Sequence, residues 1–264
     1  MHQPPRSPLR EVRCPPRGCV SGFGRPGATD MFSDTLRESL DLTVFWEYRF
    51  VLFKGLTMSL GVFACAAVLA LAGGLVAALM RTGRWRVLRW AGTLHVEVSR
   101  NAPDYIMVVW VHFVLPLLLG TLIGRRLEFD PFVSALIALG FVYSGYFAET
   151  FRAGIEAVPR GQIEAGRGLG MSERLIMWRI ILPQVVRRML PESVNQFVSL
   201  FKATSIVSLI AVPDLMYQVS MVSAQEMQPL PLYTGAALTY FVVVCAFAWL
   251  LQTLSGRWRA RILA

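Results

Sequence analysis

Glu164-Ala165-Gly166-Arg167-Gly168-Leu169-Gly170 is a polar, glycine-rich stretch between hydrophobic runs, and Ile180-Ile181-Leu182-Pro183 follows it after nine residues. Three glycines in five positions cost an isolated helix about 1 kcal/mol each relative to alanine. They also leave the backbone open to close approach. Ser172 is placed to cap a new helix, with Glu173 in its first turn. Leu175, Ile176, Trp178, Ile180 and Leu182 add apolar surface before Pro183 stops or kinks that helix. The stretch reads as two short helical pieces joined by a tight bend, lying at a membrane surface and available to a partner.

The surroundings supply the membrane. The chain of 264 residues is 55% hydrophobic, its mean hydropathy is +0.50, and its apolar residues gather into segments of spanning length. The formal charge of +9 is carried almost wholly by arginine, 24 of the 26 basic residues. These arginines sit beside hydrophobic runs, a pattern that topology explains better than a nucleic-acid-binding face. Cys14 and Cys19 lie near the start, and Cys65 and Cys245 lie in expected spans. Neither spacing makes a metal site or a disulfide framework.

Residues 1–49 are expected to form a poorly ordered tail plus an interfacial helix over 31–49, with Met31 as the initiator. Residues 50–256 hold the membrane domain, and 257–264 form a short basic tail. The first span begins near Phe50, and Gly55 to Met80 is uncharged; the Gly73-Gly74 pair either kinks it or serves close packing. Arg81, Arg84, Arg86, Arg89 and Arg100 follow against only Glu97, which places this loop inside. Tyr105 to Gly124 is the second span; it contains His112, and Pro116 is positioned to bend it. His112 contacts a solute, packs between helices, or makes a backbone hydrogen bond.

A short loop of balanced charge, Arg125 to Asp130, leads to a third span from Pro131 past Glu149, whose carboxylate is placed to pair with Arg152. Ser193 to Pro213 is the fourth span, with Lys202 its only formal charge. Lys202 either snorkels to headgroups or faces a polar path; Thr204 and Ser205 either join that path or bond the helix backbone. Asp214 to Leu232 carries a charge of −2, Pro229 and Pro231 disfavour a continuous helix there, and Tyr233 to Leu254 is the fifth span. Arg257, Arg259 and Arg261 hold the C-terminus inside, so the N-terminus lies outside. The expected fold is an all-α integral membrane protein with five spans.

The opening stretch resembles the signature loop of inner-membrane permease subunits of ATP-binding-cassette importers: Glu-Ala-Ala, three residues, Gly, nine residues, Ile-x-Leu-Pro. Glu164, Ala165, Gly170, Ile180, Leu182 and Pro183 fall on that pattern, and Gly166 replaces the second alanine. An ordinary loop would account for the seven arginines from Arg152 to Arg188, but not for the glycine spacing. The resemblance implies a five-span permease core with a coupling-helix loop. Glu164, Ala165, Gly166, Gly168, Gly170, Ile180, Leu182 and Pro183 are its ATPase-coupling residues. Glu149, Arg152 and Gly154 are similar to the family's approach to that loop, and Arg100 and Pro103 to its approach to the second span.

Lys202-Ala203-Thr204-Ser205 resembles the Lys-x-Thr-Ser element of polar amino-acid permeases. It makes Lys202, Thr204 and Ser205, together with His112, the candidate translocation path. The implied partners are a cytoplasmic ATPase dimer, a second permease chain (identical or related), a periplasmic or external solute-binding protein and a polar amino acid, all at a bacterial inner membrane. No catalytic residue, metal or cofactor is expected in this chain; ATP and Mg would be held by the ATPase, and no Gly-x-x-x-x-Gly-Lys-Ser/Thr phosphate loop occurs here. The main alternative is an ion-coupled secondary transporter, although an odd number of spans gives no paired halves within the chain. A membrane enzyme or a purely structural scaffold fits less well, because no nucleophile–base arrangement stands out.

Overall fold

The computed structural model describes residues 43–83 and 85–263. The expected tail, Met31 and most of the expected interfacial helix lie outside these residues. Every regular element among them is helical. Helix α1 (Thr43–Glu47) precedes α2 (Arg49–Thr82), and α3 (Arg86–Asn101) follows. Helices α4 (Asp104–Val109) and α5 (Leu115–Ile123) are joined by a wide π turn at Trp110–Val114. Then come α6 (Pro131–Glu156), α7 (Arg160–Gly168), α8 (Glu173–Ile176) and a second π turn at Met177–Ile181. Helices α9 (Leu182–Ala203), α10 (Leu215–Glu226) and α11 (Pro229–Leu263) complete the described chain.

Among the described residues, five segments are long and apolar enough to cross a membrane: Arg49–Thr82, Asp104–Ile123, Pro131–Glu156, Pro191–Ile210 and Pro229–Thr253. The third is the axis of the fold, with 61% of its most apolar window buried against 11% for the fifth. Helix α2 meets it through small residues four apart, Ala66, Ala70, Gly74 and Ala78, all buried. A Cβ on Gly74 would stand 2.7 Å from the Phe147 Cβ. The Gly73-Gly74 pair therefore serves packing, and α2 runs through it without a break. Around this seam Val62, Leu139, Val142, Phe147, Leu200 and Val207 form one buried core.

Three proline expectations change. Pro116 and Pro183 each sit in the first turn of a helix directly after a π turn. The wider turn already interrupts the regular ladder, so a missing N–H is accommodated and the helical path continues. Pro183 thus does not stop the second short helix, which passes into the fourth span. Pro229 and Pro231 begin α11 instead of breaking it, so the fifth span starts at Pro229, four residues before the expected Tyr233.

On the far side of the core, the buried Asp214 caps α10 by accepting the Tyr217 N–H at 2.9 Å. Burial raises its carboxyl to about 6, although backbone N–H groups favour the charged form. Asp214 therefore binds a proton more readily folded than unfolded, and its contribution to stability falls as pH rises from about 4 to 6. A shift of roughly two units corresponds to about 3 kcal/mol. Asp214→Asn keeps the cap acceptor and removes this dependence. Thermal unfolding of purified protein should show a wild-type midpoint that falls across that interval and a variant midpoint that does not. Parallel curves would refute the assignment.

Candidate functional site

The glycine-rich bend folds as two helices with a closed corner. Helix α7 ends at Gly168, Leu169 forms the cap, and Gly170 takes the left-handed conformation at φ 74°. The Gly170 N–H donates to the Arg167 carbonyl at 2.9 Å and the Met171 N–H to the Gly166 carbonyl at 3.1 Å. This is the paired hydrogen-bond pattern of a Schellman stop, and it favours a residue without a Cβ at position 170. Ser172 then caps α8, accepting the Leu175 N–H at 3.4 Å. Across the corner, Arg167 grips Glu173 with two hydrogen bonds, 2.7 and 3.3 Å. That pairing holds the Glu173 carboxyl below the usual range and pushes the Arg167 guanidinium up.

Beneath the bend lies a separate apolar cluster of Val158, Ile176, Ile181, Val185 and Met189. Burying an aliphatic side chain contributes about 1.5–3 kcal/mol, so five outweigh the glycine penalty within α7. Gln184 adds a polar tie, donating to Gln162 at 2.6 Å and to the Ile180 carbonyl at 2.9 Å.

The coupling candidates divide into two sets. Glu164, Ala165, Gly168 and Gly170 are exposed, as are Leu169 and Trp178, at 82% and 62%. Gly166 is buried: a Cβ there would lie 3.0 Å from Ile180 and 3.2 Å from Ile176. Its small size brings α7 onto its own chain, so Gly166 faces inward, while Gly168 and Gly170 stay exposed. Ile180 supports the bend from below, Leu182 is partly exposed and Pro183 half-buried.

Glu149, on α6 above this bend, pairs with Arg152 as expected, and also with Arg81 of α2 at 2.6 Å. Arg152 reaches on to Glu156 at 2.5 Å. This chain of four charges ties the ends of two spans together. Arg81 was missed because 68 residues separate it from Glu149.

The other candidates do not form one cluster. His112 donates to or accepts from the Ser134 hydroxyl at 2.9 Å and lines a cleft of about 880 Å³ with Thr121, Arg125 and Arg126. Lys202 is not among that cleft's lining residues. Thr204 is buried and Ser205 half-buried; their hydroxyls donate to the Phe201 and Lys202 carbonyls at 2.7 and 2.9 Å. Both hydroxyls bond the helix backbone, one of the two uses expected of them. Lys202 is exposed, and no described residue pairs with its ammonium.

Lys202 instead ends an exposed polar stripe on α9 with Glu192, Asn195 and Ser199, and Gln196 donates to Glu192 at 3.0 Å. The spacing of three, four and three residues puts these side chains on one helix face. Sequence reading missed the stripe by starting the span at Ser193, although the periodicity was available. Among the described residues, no group of three or more His, Cys, Asp or Glu is arranged to hold a metal ion.

The family described as "Binding-protein-dependent transport system inner membrane component" matches residues 55–261. The chain is 32% identical over 225 residues to the arginine ABC transporter permease protein ArtQ of Escherichia coli (strain K12), covering 79% of this chain and 94% of that one. It is 37% identical over 182 residues to the probable glutamine ABC transporter permease protein GlnM of Bacillus subtilis (strain 168), covering 67% and 81%. Its fold matches the crystal structure of an amino acid ABC transporter with histidines at a TM-score of 0.75 and 29% identity, covering 83% of this chain and 99% of that chain.

Proposed function

The chain belongs to the binding-protein-dependent transport system inner membrane components: it is a multi-pass inner-membrane permease subunit, part of the translocation path of an ATP-driven importer, and we propose that its cargo is a polar amino acid. The family implies a separate ATPase, a second permease chain and a solute-binding protein. The single observation that supports its coupling role best is the closed bend at Gly170. It presents Glu164, Ala165, Gly168 and Leu169 outward on a helix whose inner side is locked by Gly166 and Ile176.

Two ATPases, holding ATP and Mg, receive these loops from two permease chains. Closure of the ATPases on ATP moves α7 and α8, and the rigid path through α9 carries that motion into the membrane, favouring the outward-facing state. Hydrolysis resets it. The arginine-bearing loops and the C-terminus lie in the cytoplasm and the N-terminus outside. Protease added to intact cells should leave a C-terminal tag uncut until the membrane is permeabilised; cleavage without permeabilisation would reverse this topology.

The exposed face of α9 is the proposed path. Glu192 and Lys202 stand ten residues apart, roughly 15 Å along the axis, with Asn195, Gln196 and Ser199 between them. A face with both signs of charge and neutral hydrogen-bonding groups suits a zwitterionic solute. Similarity to an arginine and a probable glutamine permease supports that class. His112, on the separate cleft, is a secondary contact in this scheme.

The test is uptake of basic, amide and acidic amino acids by vesicles containing the permease, its ATPase and its binding protein. Lys202→Met preserves length and removes the charge. Stimulated uptake of the preferred amino acid should fall about tenfold, the effect of one lost charge-assisted contact, with abundance and basal ATP hydrolysis unchanged. Unchanged uptake across the panel would return Lys202 to the lipid headgroups, and uptake without any ATPase would favour an ion-coupled transporter.

A further inference from the structure

Helix α3 carries two apolar faces. Gly92, Val96 and Ser99 are buried against α2 and α6, and the half-buried His95 bonds Ser144 at 2.7 Å. At 100° per residue, Val87, Trp90, Leu94 and Val98 fall on the opposite side. All four are exposed, Val87 at 75% and Trp90 at 69%, and no described element covers them. Arg86 and Arg89 run along one flank of this strip, exposed and without a carboxylate partner among the described residues. The nearest acid on the helix, Glu97, is engaged by the Asn101 amide at 3.1 Å. Trp85, at the start of the helix, is 74% exposed.

We propose that this face of α3 is a binding surface for anionic phospholipid, with the apolar strip against acyl chains and Arg86 and Arg89 on the headgroup phosphate. The helix directly follows a span and precedes another, which holds it at the membrane boundary. A helix at that boundary with an apolar strip, tryptophans and flanking arginines has the composition the boundary selects. Phosphate supplies the charged acceptors that the two guanidinium groups lack among the described residues. A second copy of this chain fits the face poorly, because a two-fold contact would bring the same unpaired arginines together. The inference rests on the permease reading only for placing α3 at the membrane, and it is independent of the cargo.

The test uses full-length protein in vesicles of phosphatidylcholine or an equal mixture with phosphatidylglycerol, each doped with a spin-labelled form of either lipid. Wild type should hold labelled phosphatidylglycerol in its motionally restricted shell in preference to labelled phosphatidylcholine. Each arginine near an anionic surface is worth about fivefold, so Arg86→Gln with Arg89→Gln should weaken the preference by up to roughly 25-fold. The paired lysine substitutions should retain much of it, which separates lost charge from a misfolded helix. The same lipid preference in the glutamine variant would overturn the proposal. So would efficient disulfide cross-linking between copies through Trp90→Cys, since that places protein on the strip. Neither readout requires transport, so failure here is distinguishable from failure of the amino-acid assignment.

Discussion

Glu164→Arg should reach the membrane in normal amounts with all five spans inserted, yet lose binding-protein-stimulated ATP hydrolysis and substrate accumulation together. Glu164 lies on the exposed side of α7 with no ion pair among the described residues; its charge acts only at a distance on the Arg167 guanidinium, which Glu173 already grips, so reversing it disturbs little within the chain. A carboxylate seated against a basic surface contributes a charge-assisted contact, and reversing it substitutes repulsion in a confined interface. A loss of at least 100-fold in coupled uptake is expected, corresponding to about 3 kcal/mol. Gly168→Val gives the steric counterpart, because open space surrounds Gly168 within the chain. Its failure would report crowding against another protein. Gly166→Val is the internal control: it collides with Ile176 and Ile180 and should lower stability before any partner is added. If Glu164→Arg and Gly168→Val both retain ATPase binding and stimulated uptake, the bend is not the coupling element.

Glu149→Gln should destabilise the permease by about 3 kcal/mol and loosen the end of α2 from α6. The carboxylate is shared by Arg81 and Arg152, with side-chain exposures of 17% and 27%, so its removal leaves the Arg81 guanidinium without its charge partner and Arg152 with Glu156 alone. Breaking a well-buried pair costs about 3–5 kcal/mol, and the residual exposure places this one at the low end. Replacing Arg81 and Glu149 together by Met and Gln should cost less than Glu149→Gln alone. Thermal inactivation in detergent distinguishes the two outcomes. Equal loss in the single and double variants would show that Arg81 and Glu149 are not coupled.

The corner itself was legible because its chemistry is local. Gly170 at the left-handed stop, Ser172 at the cap and Glu173 in the first turn follow from neighbouring residues. The five spans were legible for a related reason: hydropathy sums over contiguous chain. What escaped depended on partners remote in sequence or on the way neighbouring turns share strain. Gly166 turned inward because Ile176 and Ile180 return beneath it, which no spacing rule states. Arg81 reaches Glu149 only because small residues bring α2 against α6. Helix α3 was hidden by its arginines, which read as a topological marker while the strip beside them passed unnoticed. Thr204 and Ser205, chosen for their polarity, spend it on the backbone one turn behind them.

The unbroken helical path from Glu173 to Ala203 constrains the length of the gene's coding segment as much as the chemistry of its product. Inserting or deleting one residue along it would rotate everything beyond by about 100° and shift it by about 1.5 Å. A change before Glu192 would swing the whole face of Glu192, Asn195, Ser199 and Lys202 relative to the bend or, if that face kept its place, force the bend to turn instead. The π turn at Met177–Ile181 is the one described interruption in the α-helical register of this path, equivalent to a single extra residue in an α-helix. A one-residue deletion there is absorbed by tightening five residues into regular helix, whereas the same deletion a turn later reaches the membrane. Substitutions along this rod are graded, but a change in its length beyond the π turn turns the whole intramembrane face at once.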